Sequence, residues 1–206
     1  MSVIAFIPAR GGSKSIPEKN IKYFCGKPLI YWNLHELQKS EVDEIVVATD
    51  SDNIKLVVES FKFSKVKVYD RSSENSQDTS STESVMIEYI NSSDLSGSDT
   101  FMLVQATSPF TQTSHFNEGL ELFNNHESIL SCCISKKFTW KEDGQALNYD
   151  IYNRPRRQDY KGDLIENGAF YISSVSDIKE TGNRISGKIG IYQMPEYTCT
   201  EIDEIE

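Results

Sequence analysis

The chain has 206 residues, of which 38% are hydrophobic and 25% are charged. This length allows one domain with its own core, and this composition excludes an intrinsically disordered or collagen-like chain. The 31 acidic and 21 basic residues give a formal net charge of −10. Because so acidic a surface repels phosphate backbones, we expect no nucleic-acid partner. An anionic ligand would need a local group of Lys, Arg and backbone N–H donors.

The cysteines and the N-terminal residues favour a cytoplasmic protein. Cys132 and Cys133 lie in an apolar run that is typical of a buried strand, and Cys25 and Cys199 are distant from it in sequence. Since no C-x-x-C spacing occurs, we expect reduced thiols rather than a zinc or redox site. The first eight residues lack the basic and apolar regions of a signal peptide, and no stretch has the length of a membrane span. We therefore expect no membrane association.

Strands and helices are predicted to alternate along the chain. Short apolar runs rich in β-branched residues predict buried strands, and apolar residues at helical spacing predict helices. The predicted strands are 3–7, 44–49, 66–69, 101–105, 129–134, 169–172 and 189–193. The predicted helices are 28–39, 54–61, 85–90, 115–125 and 175–181. This alternation predicts a single α/β domain over 1–206 with a mainly parallel sheet.

The segment after the first strand carries the strongest functional signal, because parallel sheets bind ligands at the carboxyl ends of their strands. Two glycines there let backbone N–H groups approach an anion, and three cations surround them in an otherwise acidic protein. The segment matches neither the P-loop nor the Rossmann pattern, and it predicts a phosphate chain as ligand. The alternative is an ordinary glycine-rich turn with solvated lysines. The candidate residues are Arg10, Gly11, Gly12, Ser13, Lys14, Lys19 and Asn20.

Four segments in the same order resemble the CMP-sialic acid synthetase (acylneuraminate cytidylyltransferase) family over essentially the whole chain. They are 7–22, 105–110 (QATSPF), 154–159 (RPRRQD) and 166–171 (ENGAFY). The resemblance implies transfer of CMP from CTP to the anomeric hydroxyl of a nonulosonic (sialic-type) acid, with release of pyrophosphate. It also implies a three-layer, Rossmann-like nucleotidyltransferase fold, Mg²⁺ as cofactor, and a homodimer with a projecting arm at about 138–166.

The resemblance implies that the nucleotide contacts three parts of the chain. They are the first loop, a Ser-, Asp- and Thr-rich segment after the third strand, and one glutamine. From composition alone that segment is a solvated loop. The nucleotide-binding residues it implies are Arg10, Gly11, Gly12, Ser13, Lys14, Lys19, Asn20, Arg71, Ser80, Thr82 and Gln105.

Cations are the candidate catalytic residues, because charge develops on the departing phosphates and positioning with electrostatics dominates such transfers. We assign this role to Arg10, Lys14, Arg156 and Arg157. Arginine also forms bidentate contacts with carboxylates and phosphates. The alternative for the arginine segment is a solvated charged face.

The family's Asn-Gly-Ala motif implies a sugar pocket formed by Gln105, Asn167 and Tyr171. A tyrosine in a strand is otherwise a common core residue. Some family members carry an arginine close to the position where this chain has Glu166, so the ligand of the sugar carboxylate stays open. Three lysines are possible substitutes without an assignment: Lys136, Lys137 and Lys141.

The resemblance places the metal near the C-terminus, where family members have Asp-x-Asp and continue with a closing helix. This chain has Glu201 and Asp203, and we assign Mg²⁺ to them. A second Asp-x-Asp, formed by Asp50 and Asp52, resembles the metal motif of nucleotide-sugar glycosyltransferases, although helix capping is our preferred interpretation. Two alternatives therefore stay open: a GT-A-like glycosyltransferase that uses these two aspartates, and a catalytically inactive nucleotide-binding scaffold.

Overall fold

A seven-stranded sheet forms the centre of the computed structural model, which describes residues 1–12, 16–77, 79–200 and 202. The sheet strands are β1 Val3–Pro8, β4 Glu44–Thr49, β5 Val66–Asp70, β6 Thr100–Val104, β7 Ser128–Ser135, β8 Asp163–Ser174 and β9 Ile189–Met194. Strands β2 Tyr23–Phe24 and β3 Lys27–Pro28 form a small separate hairpin. The helices are α1 Leu29–Lys39, α2 Asp52–Ser60, α3 Thr82–Ser92, α4 Thr113–Phe123 and α5 Val175–Thr181.

The sheet order is β5-β4-β1-β6-β8-β7-β9. Strand β8 runs antiparallel to both of its neighbours, and the other neighbouring pairs are parallel. The predicted α/β fold with a mainly parallel sheet is therefore confirmed. Because β8 is reversed, its first residues lie at the edge where the parallel strands end.

The helices cover both faces of the sheet, as alternate side chains of the first strand illustrate. Ala5 and Ile7 pack in the apolar cluster of α1, α2 and α4, whereas Ile4 and Phe6 pack in the cluster of α3 and α5. All four side chains are at most 1% exposed, and burial of a large apolar side chain contributes about 1.5–3 kcal/mol. The fold thus has the three layers that the resemblance implied.

Two elements begin three or more residues before the start that the sequence pattern predicted. Helix α3 starts at Thr82 instead of residue 85, because Ser81 caps it by accepting a 3.0 Å hydrogen bond from the Ser84 N–H. Strand β8 starts at Asp163 instead of residue 169, and its first four residues are exposed, so they lack the apolar run of a buried strand. Residues 163–166 of the predicted arm consequently belong to the sheet.

The connection from β7 to β8 contains aromatic residues without a buried core of its own. Phe138 packs on Tyr149 with ring centroids 4.3 Å apart, and the Arg154 guanidinium lies 4.6 Å from the Phe138 ring centroid. Trp140 remains 48% exposed and Tyr152 94% exposed. This surface is the one that the resemblance assigned to dimerisation, and that assignment stays a prediction.

A disulfide joins Cys133 to Cys199, with Cα atoms 6.0 Å apart. The expectation that all thiols are reduced is therefore wrong for this pair. The two residues are 66 positions apart, and they meet because the C-terminal segment returns along the end of β7, which local spacing does not reveal. Cys132 is a buried free thiol and Cys25 an exposed one.

Within the described part of the chain, no helix combines the length and the apolar character needed to cross a membrane.

Candidate active site

One edge of the sheet gathers most of the residues that the sequence singled out. The parallel strands β5, β4, β1, β6 and β7 end there, and the antiparallel β8 begins there. Loops follow these ends, as in other parallel sheets that bind ligands. The edge has two parts with Gln105, directly after β6, between them.

The first loop is held against the loop that follows β4. The Gly11 N–H donates a 2.9 Å hydrogen bond to Asp50 Oδ1. A Cβ on Gly11 would lie 2.9 Å from the Ser51 Cβ, which is closer than real contacts allow, so this approach requires glycine. Asn20 is buried, and its side-chain amide donates to the Arg10 carbonyl over 3.2 Å.

The other candidate residues of this loop are Gly12, Ser13, Lys14 and Lys19. Gly12 has open space around it, and Lys19 begins a short 3₁₀ turn, Lys19–Ile21. Ser13 and Lys14 lie outside the described residues.

Next to this loop, the ends of β4 and β5 enclose the first pocket, of about 450 Å³. Its lining consists of Thr49, Asp50, Ser51, Asp52, Asp70, Arg71, Ser73, Ser76 and Gln77. The half-buried Arg71 donates its backbone N–H to the Thr49 carbonyl over 3.0 Å. Burial lowers the pKa of its guanidinium, and Asp50 opposes that shift. Its Nε is buried without a hydrogen-bond partner among the described residues, and the guanidinium gives the lining of this pocket a positive charge.

Ser80 and Thr82 lie beyond the lining of the first pocket. The Ser80 hydroxyl donates to the Glu74 carbonyl over 2.9 Å. Thr82 is the first residue of α3, so it belongs to a helix rather than to the loop that composition indicated.

A buried asparagine that the sequence analysis missed supports the centre of the edge. Asn33, on α1, is fully buried, and its amide donates to the carbonyls of Gln105 and Ala106 over 3.2 and 3.4 Å. The Gln105 N–H in turn donates to the Ala169 carbonyl over 3.3 Å. A polar residue in the apolar stripe of α1 was the available signal, because buried polar groups need partners.

The second pocket, of about 700 Å³, lies on the other side of Gln105. Its lining consists of Cys133, Ile134, Ser135, Lys136, Lys137, Phe138, Arg157, Ile165, Glu166, Asn167, Glu196, Cys199 and Thr200. Three cations and two carboxylates therefore share this space. Arg157 lies 3.9 Å from Glu196 with both side chains largely exposed, and such a pair contributes little to stability.

Arg156 is in the adjacent turn, where its carbonyl accepts the N–H groups of Asp159 and Tyr160. Lys141 lies farther along the connection, and its ammonium donates to the Gln145 side chain over 2.7 Å.

Asn167 and Tyr171 are more buried than the predicted sugar contacts suggested. Asn167 is 2% exposed, and its amide donates to Thr198 Oγ1 over 3.0 Å. Tyr171 is 6% exposed, and its hydroxyl donates to Glu166 over 2.8 Å. Burial is the main cause that raises the pKa of the Tyr171 hydroxyl, and the hydrogen bond with Glu166 raises it further. Both side chains thus have internal partners, and their contact with a sugar stays a prediction.

The predicted metal ligands Glu201 and Asp203 lie outside the described residues. Between them, the Ile202 N–H donates to the Thr107 carbonyl over 2.9 Å, next to the centre of the edge. Across the described ranges, no cluster of three or more His, Cys, Asp or Glu side chains has the arrangement of a metal site.

The second Asp-x-Asp has contacts of another kind. Asp50 accepts the Gly11 N–H, and Ser51 caps α2 by accepting from the Ile54 N–H over 3.4 Å. The capping function that the sequence analysis preferred for this motif falls on Ser51, while Asp52 is in the first turn of α2.

The solved structures that share this fold include a synthetase complexed with CTP. A solved structure of CMP:2-keto-3-deoxy-manno-octonic acid synthetase complexed with CTP superimposes with a TM-score of 0.72 at 18% identity, covering 99% of this chain and 94% of that one. The likeness at this identity defines the fold.

The family model described as "Cytidylyltransferase" matches residues 4–204, and the chain belongs to that family. It is 38% identical to N-acylneuraminate cytidylyltransferase B of Danio rerio, over 97% of this chain and 48% of that protein. It is 28% identical to pseudaminic acid cytidylyltransferase of Campylobacter jejuni, over 100% of this chain and 93% of that protein. The chain thus spans about half the length of the fish relative and almost all of the bacterial one.

Proposed function

We propose that the protein transfers CMP from CTP to the anomeric hydroxyl of a nonulosonic acid and releases pyrophosphate. Membership of the cytidylyltransferase family and the names of its relatives support this reaction. The observation that carries it is the arrangement of the edge. The glycine-containing loop and the Arg71 pocket lie on one side of Gln105, and a second cationic pocket lies on the other.

In this reaction the anomeric oxygen attacks the α-phosphorus of CTP. A new bond forms between them, the bond from the α-phosphorus to the bridging oxygen of the β-phosphate breaks, and pyrophosphate leaves. The hydroxyl proton passes to solvent. Most of the work in such a transfer is positioning and charge stabilisation, which suits a site rich in cations and backbone N–H groups.

The two substrates take different parts of the edge in this proposal. The first loop binds the triphosphate, because the N–H groups next to its glycines and the cations Arg10, Lys14 and Lys19 all favour anions. Arg71 binds the nucleotide in the first pocket. The second pocket takes the sugar acid, whose carboxylate suits the guanidinium of Arg157 and the ammonium of Lys136. Gln105 lies between the two substrates.

Mg²⁺ is part of the proposal, with Asp203 and Glu201 as its ligands. Carboxylate oxygens are the ligands that this hard cation prefers, and the ion would neutralise charge on the triphosphate. The hydrogen bond from Ile202 to Thr107 supports the assignment, because it anchors the residue between the two carboxylates beside the edge where the phosphates are proposed to bind.

A homodimer and a cytoplasmic location complete the proposal. The exposed aromatic side chains of the β7–β8 connection favour a covered surface in solution. The cytoplasmic location is proposed independently of the cysteines, because disulfides such as Cys133–Cys199 are rare in that compartment.

A pyrophosphate-release assay tests the reaction. The four nucleoside triphosphates are each incubated with Mg²⁺ and a panel of 2-keto sugar acids. We expect release with CTP and at least one nonulosonic acid, and none with ATP or GTP. Equal turnover with a purine nucleotide would contradict the proposal, and binding of CTP without turnover would favour the inactive scaffold instead.

A further inference from the structure

Glu88, on α3, is bonded to the loop that lines the first pocket. Its Oε1 accepts hydrogen bonds from the Ser72 N–H at 2.9 Å and from the Tyr69 hydroxyl at 3.0 Å. Its Oε2 accepts from the Ser72 hydroxyl at 2.7 Å and from the Asn75 amide. One carboxylate therefore satisfies four donors, three of which belong to the loop. Hydrogen bonds to an ionised carboxylate are about twice as strong as neutral ones.

The loop after β5 has two faces. Ser72 and Asn75 face Glu88, whereas Arg71, Ser73 and Ser76 line the pocket. Two internal bonds make this arrangement rigid: the Ser76 hydroxyl donates to the Ser72 carbonyl over 2.7 Å, and the Asn75 N–H donates to the Ser72 hydroxyl over 3.2 Å. Along this loop, the residues bonded to Glu88 are thus interspersed with the residues that line the first pocket.

Arg71 is connected to Glu88 through Asn75. The Arg71 guanidinium donates to the Asn75 carbonyl, and the Asn75 amide donates to Glu88. The orientation of the guanidinium in the pocket therefore depends on where Glu88 holds Asn75. Burial alone would raise the pKa of Glu88, but the bonds from Ser72, Asn75 and Tyr69 lower it, so the carboxylate is charged at neutral pH.

We infer that Glu88 is a positioning residue for nucleotide binding: it fixes the loop after β5 so that Arg71 is oriented toward the bound nucleotide. This inference rests on the proposed function, because it takes CTP as the ligand of the first pocket. Glu88 itself lies behind the loop and touches no substrate. It acts by reducing the loop ordering that binding would otherwise require.

The test compares Glu88→Gln with Glu36→Gln in the full chain. Glu36, on α1, is a matched control: its carboxylate accepts from the Thr113 N–H and hydroxyl at 3.0 and 2.8 Å and pairs with Lys39 at 2.9 Å, and it lies outside both pockets. The Kd for CTP is measured by calorimetry, KM and kcat by pyrophosphate release, and thermal stability by calorimetry. The glutamine amide cannot accept all four bonds, because its NH₂ group is a donor.

We expect Glu88→Gln to raise the Kd and KM for CTP about tenfold with kcat changed less than about threefold, the pattern of lost binding rather than lost chemistry. Glu36→Gln should lower the melting temperature without changing the Kd or the KM for CTP. Asn75→Ala removes the hydrogen bond between the Asn75 amide and Glu88 by changing the loop instead of the helix. It therefore keeps the inference testable if Glu88→Gln does not fold. For Asn75→Ala we expect about a threefold rise in Kd.

Equal effects of the two glutamine variants, or an unchanged Kd in the folded Glu88 or Asn75 variant, would overturn the inference. A wild-type protein that binds CTP but releases no pyrophosphate would overturn the proposed reaction alone, since the Kd comparison would still apply. A wild-type protein that binds no CTP would overturn both.

Discussion

The two sides of the binding edge are constructed differently. On the side of the first loop and the first pocket, loops are held by contacts with neighbouring strand ends and with α3, as in the bonds of Gly11 with Asp50 and of Ser72 with Glu88. On the other side, the walls come from β7, from the reversed strand β8 and from the C-terminal segment. That segment is joined to β8 through Asn167 and Thr198 and to β7 through Cys133 and Cys199. The contacts named for the first side are hydrogen bonds, whereas the second side also has a covalent bond between residues 66 positions apart.

This difference predicts that breaking the covalent bond of the second side destabilises the fold, whereas loss of a charged or hydrogen-bonding group on either side mainly impairs binding and chemistry. The following changes test that division, starting with the largest expected effect.

Reduction of the Cys133–Cys199 disulfide should have the largest effect. The bond closes a segment of 66 residues, and a loop of this length corresponds to about 4 kcal/mol of unfolding free energy in the chain-entropy model. Denaturant unfolding with and without a thiol reductant measures the difference. Cys25→Ser is the control and should behave as wild type under both conditions. An unchanged midpoint on reduction would show that the bond does not hold the C-terminal segment.

Loss of one cation from the first loop should impair catalysis without affecting stability. Arg10→Ala and Lys14→Ala should each lower kcat/KM about 10²-fold or more, the effect of removing one oriented charge stabiliser. Pyrophosphate-release kinetics and thermal melting measure the two properties side by side. Near-normal kinetics in both variants would show that this loop is an ordinary turn without a part in catalysis.

Loss of the predicted metal carboxylate should change the requirement for Mg²⁺. Asp203→Asn keeps the shape of the side chain and removes its charge, so we expect the Mg²⁺ concentration for half activity to rise about tenfold. Calorimetric binding of CTP without metal should be nearly unchanged, and Glu201→Gln should have a smaller effect. Asp52→Asn is the comparison variant, and a loss confined to it would assign the metal to the other Asp-x-Asp.

The smallest effect concerns the bond that ties β8 to the C-terminal segment. Thr198→Val keeps the volume of the side chain but removes both the acceptor of the Asn167 amide and the donor to the Pro195 carbonyl, and each such bond contributes about 1 kcal/mol. We expect the KM for the sugar acid to rise about fivefold and the KM for CTP to stay constant. If both constants rise equally, the two sides of the edge are not separate.

What the sequence could reveal depended on how close together along the chain the contributing residues are. The strands and helices were predictable because their apolar periodicity is local, and the first loop was conspicuous because its glycines and cations are contiguous. The reversal of β8 arises because it pairs between β6 and β7, which are distant from each other in sequence. The partner of Cys133 and the contact of Asn167 with Thr198 arise from the return of the C-terminal segment to the sheet. A pattern read along the chain contains no record of that return.

Polar residues with internal hydrogen-bond partners were only partly predictable from the sequence. Asn33 interrupts an apolar stripe, which indicates a polar partner, but the sequence does not identify that partner as the backbone of Gln105 and Ala106. Glu88 carries no such signal, because a glutamate on a helix is ordinarily exposed. Its importance follows from the four donors around it.

Hydrogen exchange measured by mass spectrometry tests most directly the claim that the edge binds two substrates on two sides. Exchange is compared in three samples: the protein without ligand, the protein with CTP, and the protein with both CMP and the sugar acid that supports turnover. We predict that CTP protects residues 10–12 and 71–77, and that the sugar acid adds protection at residues 133–138 and 196–200. Protection of the same segments by both ligands, or protection by CTP at 133–138 without change at 71–77, would contradict the account.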